Sequence, residues 1–195
     1  YIEHNFGHHV NVGTAEDPAT ARYKQSLYSF WITSVIGQYI GAWKLQLKLL
    51  KISKYKFFSI KNDMMFYVIF QLMFIYLIYF NYGITVTIFS LIISVISFLF
   101  LETINYIEHY GLSRKKDKNG RYERVKTIHS WNSNHVVGRL VLYELTRHSD
   151  HHFISSKKYQ VLESIDESPQ LPYGYPTSIL LSMVPPLWFK IMNPR

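Results

Sequence analysis

The sequence predicts an all-α integral membrane protein with a transmembrane hairpin and a cytoplasmic, histidine-rich helical region. Residues 64–101 carry no charged side chain over 38 positions, and basic residues flank this stretch on both sides. No segment alternates polar and apolar residues long enough to indicate a sheet. Of the 195 residues, 48% are hydrophobic and only 17% are charged, against roughly 25% in soluble domains. This composition excludes a disordered chain and does not fit an ordinary cytosolic globule.

The uncharged stretch divides at Asn81-Tyr82-Gly83 into Met64–Phe80 and Ile84–Leu101, of 17 and 18 residues. A helix of either length is about 26 Å long, near the roughly 30 Å hydrocarbon core of a bilayer. The alternative, a buried hairpin in a soluble protein, is disfavoured because each helix would be apolar on every side. Six lysines in residues 44–61 precede the hairpin, and seven lysines and arginines in residues 114–126 follow it. Because the connecting turn is uncharged, both outer ends are expected on the cytoplasmic side.

The net charge of +8 does not indicate a nucleic-acid partner. The basic residues flank an apolar hairpin instead of forming a continuous stripe, so we expect a lipid bilayer as a partner and no nucleic acid. Without any cysteine, the chain has no disulfide framework, zinc finger or thiolate-ligated cluster. Position 1 is Tyr and no basic-plus-apolar leader precedes Glu3. We therefore expect no signal peptide and an incomplete chain.

Two other apolar segments are shorter or more diluted. Leu27–Trp43 has 17 residues without charge, but polar residues and glycines interrupt it. If this segment crossed the membrane, His4 and His148 would lie on opposite faces, whereas the argument below places them in one site. We therefore interpret it as a helix at the membrane interface. Ser178–Met192 is broken by Pro185-Pro186, and is expected at the interface or packed on the cytoplasmic part.

The remaining polar segments contain turn and capping signals. Asp17 followed by Pro18 predicts a helix start, with Asp17 as the N-cap and Pro18 at the first helical position. Residues 115–120 indicate a charged turn, and residues 163–176 indicate a loop. There is no internal repeat.

Six of the nine histidines occupy two short windows. These windows are Glu3-His4-Asn5-Phe6-Gly7-His8-His9 and Arg147-His148-Ser149-Asp150-His151-His152. On an α-helix, His4 and His8 share a face while His9 points aside. In the second window the spacings of three and four let one helix present several imidazoles to a metal. A purification tag or a loose metal-buffering tract would not explain the interleaved acidic residues and glycine, so we predict metal ligation.

A seventh histidine, His109, lies in Asn105-Tyr106-Ile107-Glu108-His109-Tyr110-Gly111, just beyond the second apolar run. The alternative is a bystander histidine in an interfacial aromatic belt. Seven imidazoles exceed the four ligands of a structural zinc site and the six of one octahedral ion. The sequence therefore predicts two metals, or one metal with unused histidines, and imidazole without cysteine suits iron, copper or zinc.

Three acidic residues immediately precede candidate ligands: Glu3, Glu108 and Asp150. Adjacent helical positions point about 100° apart. Each acid is therefore expected to accept a hydrogen bond from the ring of a different ligand, instead of sharing its neighbour's metal.

At these motifs the chain resembles the membrane-bound alkane 1-monooxygenases, which are integral-membrane non-haem di-iron hydroxylases. Asn105–Leu112 is the most specific match, because general desaturases share the histidine windows but lack this signature. Other matching pieces are Asn119–Arg124, His129–Asn134, Gly174-Tyr175-Pro176 and Pro185-Pro186. The resemblance covers essentially the whole chain.

The resemblance implies a six-span enzyme of the inner (plasma) membrane, with its active site facing the cytoplasm, that hydroxylates the terminal carbon of medium- or long-chain n-alkanes with O₂. It also implies two non-haem iron ions and rubredoxin as the electron donor. Carried over by motif, the iron ligands are His4, His8, His9, His109, His148, His151 and His152. His129 lies in a family motif but is not an expected ligand, and His135 has no implied role.

Two departures from the family pattern matter. The family's upstream box of the His-Glu-x-x-x-His type is missing, with about four spans, so the chain would lack two ligands and much of the substrate channel. Thr146 stands where Gln is usual, with little expected effect. We interpret residues 1–195 as a single partial domain, the C-terminal part of such an enzyme. Within it, 1–63 contain the first histidine window, the interfacial helix and a basic segment, 64–101 the two transmembrane helices, and 102–195 the cytoplasmic catalytic part.

Three alternatives stay open. A fatty-acid desaturase or hydroxylase, or an alkyl-aromatic side-chain monooxygenase, would use similar histidine windows. A non-catalytic membrane protein that binds or transports zinc is the alternative from another class. Such a transporter is expected to carry ionisable residues within its spans, and residues 64–101 have none.

Overall fold

The computed structural model describes all residues, 1–195, and contains no β-strand. Two isolated bridges, Lys116–Tyr122 and Asn132–Gln170, are its only β pairings. A π-helix (His4–His8) continues as α1 (His9–Asn11), followed by α2 (Leu27–Ile52), α3 (Asp63–His109), α4 (Val136–Val141), α5 (His148–Phe153), α6 (Tyr175–Ser182) and α7 (Pro185–Met192), with 3₁₀ turns at Thr127–His129 and Tyr159–Val161. The predicted all-α class is confirmed.

The long apolar segment α3 is two helices that meet at Gly83. Gly83 has φ +75° and ψ 179°, a backbone conformation that is open essentially to glycine alone. The two arms, residues 63–82 and 84–109, run back along each other, because Gln71 and Ile78 of the first arm line a common cleft with Thr87 and Ser94 of the second. The division that the sequence predicts at Asn81-Tyr82-Gly83 is confirmed.

The hairpin presents its apolar side chains outward. By length and composition, α3 is the one helix able to cross a membrane, and only 6% of its most apolar 18-residue window is buried inside the protein. A core helix of a soluble protein would be mostly buried. This exposure is consistent with the integral membrane helical protein that the sequence predicts.

Helix α2 lies across the outer end of the hairpin and contacts both arms there. Near its start, Trp31 Nε1 donates a hydrogen bond to Thr103 Oγ1 (3.1 Å). Eleven residues later, Ala42 packs against Met64, at the beginning of the first arm. The predicted interfacial segment Leu27–Trp43 is thus the first part of a longer helix that runs to Ile52.

A buried polar cluster joins α2 to the hairpin where the uncharged stretch ends. The Glu102 carboxylate accepts hydrogen bonds from Ser34 Oγ (2.6 Å) and from Gln38 Nε2 (2.8 Å). Since Glu102 is only 7% exposed, losing either donor would leave a buried carboxyl oxygen with fewer hydrogen-bond partners. These hydrogen bonds hold α2 against the second arm of the hairpin.

Two glycines on α2 let the N-terminal segment pack directly against the helix. A Cβ on residue 37 would lie 2.6 Å from Pro18 Cβ, and a Cβ on residue 41 would lie 3.3 Å from Glu3 Cγ. The first approach leaves no room for any side chain. The glycines therefore bring residues 1–20, which include the first histidine window, close to α2.

An aromatic core anchors the end of α3. Tyr106 lies 5.4 Å from Phe30 and 5.6 Å from Trp188 between ring centroids, and Trp188 also contacts Tyr110. Tyr175 belongs to the same core. Phe30 comes from α2, whereas Tyr175 and Trp188 come from α6 and α7. Of the two positions expected for Ser178–Met192, the structure has the packed one.

We expect Gly37→Ala to destabilise the protein. A helical alanine is favoured over glycine by about 1 kcal/mol, but the rigid Pro18 ring would have to move, and overpacking costs roughly 1–3 kcal/mol. The thermal midpoint of the complete protein in detergent, followed by circular dichroism, should fall by a few degrees. Gly41→Ala is the matched control, because its new methyl group meets only a flexible Glu3 side chain. Equal midpoints for the two variants would contradict this account of the packing.

Candidate metal centre

The structure brings all seven predicted histidines together at the outer end of the hairpin. Their rings form two groups, and within each group the potential ligand atoms lie within 4.8 Å of one another. The buried group consists of His8, His109, His148 and His152, and the half-buried group consists of His4, His9 and His151. Three distant segments of the chain thus contribute to one compact site.

The first window adopts a π-helix instead of the expected α-helix. A π-helix forms i→i+5 hydrogen bonds, here from the His9 backbone N–H to the His4 carbonyl, so residues five apart lie on nearly the same face. His4 and His9 accordingly approach each other, with their Nε2 atoms 3.2 Å apart, and His8 points into the buried group. His4 and His8 do lie near each other, as expected, with their ring centroids 5.3 Å apart, but the expectation that His9 points aside is wrong.

The second window serves both groups from one short helix. On α5, His148 and His152 are four residues apart, and their Nε2 atoms lie 2.9 Å from each other. His109 reaches the same point from the end of α3, with its Nε2 atom 3.1 Å from that of His148. His151 turns to the other side, where its ring lies 4.8 Å from that of His9.

Burial favours the uncharged form of six of the seven rings, those of His4, His9, His109, His148, His151 and His152. Desolvation, and then the neighbouring imidazoles, lower the pKa of His4 to about 3, and burial with the nearby His151 lowers the pKa of His9 to about 4. Burial is also the largest cause for His109, His148 and His152, and it lowers their pKa values well below the usual range. A neutral ring has a free lone pair, which is the form that binds a metal.

The nitrogen atoms of the buried group fit a cation better than they fit one another. A neutral imidazole donates from one nitrogen only, so the converging Nε2 atoms of His109, His148 and His152 cannot all be satisfied by mutual hydrogen bonds. In addition, His8 Nε2 is buried and has no hydrogen-bond partner. A shared metal ion would satisfy all four rings.

Asp17 orients His8. The carboxylate Oδ2 of Asp17 accepts a hydrogen bond from His8 Nδ1 (2.9 Å), which leaves the Nε2 lone pair for the buried group. Burial opposes ionisation of Asp17, but the contacts with His8 and Thr20 outweigh it and lower the pKa of the carboxyl. The carboxyl is therefore ionised and stabilises the His8 tautomer that can bind a metal.

The predicted helix start at Asp17 is wrong. Residues 17–20 form a turn, in which Asp17 Oδ1 accepts the backbone N–H of Ala19 (3.0 Å) and no helix follows. The Asp-Pro signal marks a turn as readily as a helix start. Its role beside His8 was missed, because a contact between residues 8 and 17 needs a loop conformation that the sequence does not specify.

Of the three acids expected to hold ligand rings, only Glu108 approaches a histidine. Its Oε2 lies 3.3 Å from His148 Nε2, while Oε1 accepts the Tyr175 hydroxyl (2.9 Å). Burial raises the pKa of Glu108 to about 8. A bound cation would favour its charged form, so Glu108 lies where a carboxylate could join the buried group.

The other two acids have different surroundings. Asp150 Oδ2 accepts hydrogen bonds from Lys157 Nζ (2.7 Å) and from the Glu163 backbone (2.8 Å), which ties down the loop after α5. Glu3 Oε2 is buried with no partner, and burial together with the nearby charge of Asp17 raises the Glu3 pKa to about 7. For these two residues, the expected hydrogen bond to a ligand ring is absent.

The two remaining histidines lie outside both groups. His129 is buried, and its Nδ1 accepts the backbone N–H of Lys126 (3.0 Å). The residue after it, Ser130, lies 3.5 Å from His109 Nδ1 through its hydroxyl. His135 is exposed. The 127–131 segment thus lies against the Nδ1 side of the His109 ring.

A cavity of about 460 Å³ opens beside the histidines. Its polar wall includes His4, His148 and His151, so it reaches both groups. Its apolar wall consists of Leu101, Ile104, Leu142 and Leu145. This histidine cavity therefore joins the candidate metal site to the end of the apolar hairpin.

Comparison with known proteins agrees with the geometry. The family profile described as "Fatty acid desaturase" matches residues 1–180. The chain belongs to the fatty acid desaturase family. The motifs predicted a resemblance to alkane 1-monooxygenases. This prediction is confirmed, because such proteins are similar to this chain over its whole length.

Three relatives illustrate the similarity. "Alkane 1-monooxygenase 2" of Alcanivorax borkumensis is 44% identical over 194 residues, which are 100% of this chain and 51% of the relative. "Alkane 1-monooxygenase 2" of Pseudomonas aeruginosa is 43% identical, with 100% and 52% covered. "Xylene/toluene monooxygenase hydroxylase component XylM" of Pseudomonas putida is 28% identical, with 98% and 50% covered. The chain thus spans about half the length of the curated relatives it matches.

We expect Asp17→Ala to weaken metal binding at the buried group about 10–100-fold, the usual effect of removing a carboxylate that orients a ligand histidine. Asp17→Asn should fall between the wild type and Asp17→Ala, because an amide oxygen still accepts the His8 N–H bond without the charge. The measurement is a chelator-competition titration of the complete protein, with circular dichroism to check folding.

The matched control is Asp117→Ala. Asp117 also accepts backbone N–H groups in a turn, from Asn119 and Arg121, but that turn is exposed. If Asp117→Ala reduced metal affinity as much as Asp17→Ala, Asp17 would be only a turn residue.

Proposed function

We propose that this chain is the metal-binding, C-terminal part of an alkane 1-monooxygenase, which hydroxylates the terminal carbon of medium- or long-chain n-alkanes. The observation that carries the proposal is the gathering of seven imidazoles, in groups of four and three, beside a cavity with an apolar wall. The alkane 1-monooxygenases that match the whole chain at 38–44% identity support it. In this proposal residues 1–195 are one partial domain, with the divisions 1–63, 64–101 and 102–195.

The two histidine groups would each hold one non-haem iron ion. His8, His109, His148 and His152 would bind the first, with Glu108 beside them, and His4, His9 and His151 would contribute to the second. Iron at these positions would supply the O₂-dependent oxidation that an unactivated C–H bond requires. The chain's own part is to keep the rings neutral, to orient His8 through Asp17 and to limit access of water to the buried group.

The half-buried group, with only three histidines, is expected to take further ligands from another part of the protein. Its three histidines are all partly exposed, whereas all four histidines of the other group are buried. Since the relatives are about twice as long as this chain, we propose that a preceding segment with a His-Glu-x-x-x-His box covers His4, His9 and His151 and completes that site.

The histidine cavity would hold the reacting end of the alkane. Leu101, Ile104, Leu142 and Leu145 offer it apolar contact, at about 25 cal/mol per Å² of buried surface. Leu101 also ends the apolar stretch of the hairpin, so the cavity lies at the depth of the bilayer surface. An alkane dissolved in the membrane can reach the site without crossing water.

The proposed setting is the inner (plasma) membrane, with several spans and the histidines on the cytoplasmic side. The lysine-rich residues 44–61 and the basic residues 114–126 both flank the hairpin on its histidine side, as the positive-inside rule requires. The 114–126 segment would attract rubredoxin, as an acidic electron donor, by electrostatic steering. Attraction to anionic lipid is the competing role of the same charges.

A second candidate function is alkyl-aromatic side-chain hydroxylation, supported by the 28% identity to the xylene/toluene monooxygenase component. Fatty-acid desaturation or hydroxylation is supported by the family profile. The products from octane, hexadecane, xylene and acyl substrates would distinguish these activities. A zinc-binding membrane protein without catalysis would give none of them.

We expect the complete protein to carry two irons per chain and to convert octane and hexadecane to 1-alkanols that contain one atom from ¹⁸O₂. His152→Ala should lower activity at least 100-fold and reduce the bound iron, because it opens the buried group. Mass spectrometry of products and elemental analysis check both. His135→Ala, an exposed histidine outside both groups, should match the wild type. Zinc alone at the site, or exclusive acyl desaturation, would contradict the proposal.

A further inference from the structure

We propose that a second apolar pocket binds the distal part of the hydrocarbon chain, and that Leu142 controls the passage to it. The inference rests on the proposed function, because the occupant is the same alkane whose terminal carbon lies in the histidine cavity. It adds a second binding subsite and a residue that determines the preferred chain length.

The second pocket has a volume of about 290 Å³ and no charged residue in its wall. Phe100, Val141, Ile179 and Leu180 contribute to that wall. Leu142 lines this pocket and also lines the histidine cavity, and it is the one residue common to the two linings. Its side chain is thus the partition between them.

Tyr175 provides a second link between the two spaces. Its ring lines the second pocket, and its hydroxyl donates a hydrogen bond to Glu108 (2.9 Å), which lines the histidine cavity. Tyr175 is buried and fixed by the aromatic core. Leu142 packs against the edge of the same core, but it follows the end of the short helix α4 and is only partly buried. Of the two side chains, Leu142 is therefore the one with more freedom to move.

The position of the second pocket favours a hydrocarbon occupant. Phe100 is the penultimate residue of the uncharged stretch, and Phe100, Val141 and Leu180 are all largely exposed. The pocket therefore opens at the end of the hairpin, at the proposed bilayer surface, where an alkane dissolved in the membrane can enter it. A chain with one end at the histidines and the other in this pocket would pass Leu142.

The test compares kcat/KM for hexadecane and for octane in the complete, iron-loaded enzyme. Each methylene newly buried contributes about 0.8 kcal/mol, or roughly fourfold. Leu142→Ala should therefore raise the hexadecane/octane ratio at least about fourfold, and Leu142→Trp should lower it by a similar factor. Leu140→Ala is the matched control: Leu140 lies on α4 two residues before Leu142, is 74% exposed and lines neither space, so the ratio should not change.

A second measurement does not depend on turnover. A hexadecane analogue with a diazirine at one end is photo-crosslinked to the iron-free complete protein. Label is expected in residues 137–142 or 176–180, and Leu142→Trp should remove it. Label confined to the hairpin, or a phospholipid acyl chain that the analogue does not displace from the pocket, would overturn the proposal.

The two measurements separate the inference from the function on which it rests. If the wild type oxidised no alkane, the proposed function would fail, and the crosslinking would still decide whether a hydrocarbon occupies the pocket. If alkanes were oxidised but neither Leu142 variant changed the length ratio, only the role of Leu142 would be wrong.

Discussion

The structure depends on keeping seven imidazoles close together where little water can reach them, with the pKa values of six of these rings lowered. Burial removes the hydration that each charged ring would need, and neighbouring rings repel any added proton, so the pKa values fall. Buried nitrogen atoms without partners, such as His8 Nε2, each cost about 1–3 kcal/mol. Without a bound cation, such a cluster lowers the stability of the folded protein. A bound metal ion would offset this cost.

The rest of the fold therefore has to hold the rings by other means. The aromatic core around Tyr106 and Trp188 fixes the end of α3 and so places His109. Gly37 lets Pro18 pack on α2, which brings the His8–Asp17 pair to the same place. Glu102 joins α2 to the hairpin below them. Packing far from the histidines thus compensates for the cost of gathering them.

Several parts of this arrangement could be predicted from the sequence, because each rests on a local pattern. The break at Gly83 follows from a glycine in a short polar interruption, and the i, i+4 spacing of His148 and His152 places both on one face of a helix. The convergence of the two windows and His109 was predicted from the histidine count, which exceeds the ligands of one metal site, and from the family motifs that contain them. These features need no knowledge of loop conformation.

Other parts depend on tertiary contacts that no spacing rule contains. The π-helix brings His4 next to His9, five residues on, whereas α-helical spacing predicts only the approach of His4 and His8. Asp150 binds Lys157 and the Glu163 backbone instead of a histidine, because the loop after α5 folds back over it. Asp17 meets His8 only because Gly37 admits Pro18 next to it.

The site lies at the base of the apolar hairpin, so its surroundings are polar on one side and apolar on the other. In the proposed function, the polar side would serve a metal and its electron donor, and the apolar side would admit an alkane dissolved in the bilayer. The histidine cavity touches both, with Leu101 and Ile104 on one wall and histidines on the other. Of the half-buried group, His4 and His151 line the cavity, while His148 alone does so from the buried group. The half-buried group therefore contributes more of the cavity wall than the buried group does, and in the proposed function it is the group that would lie nearest to the substrate.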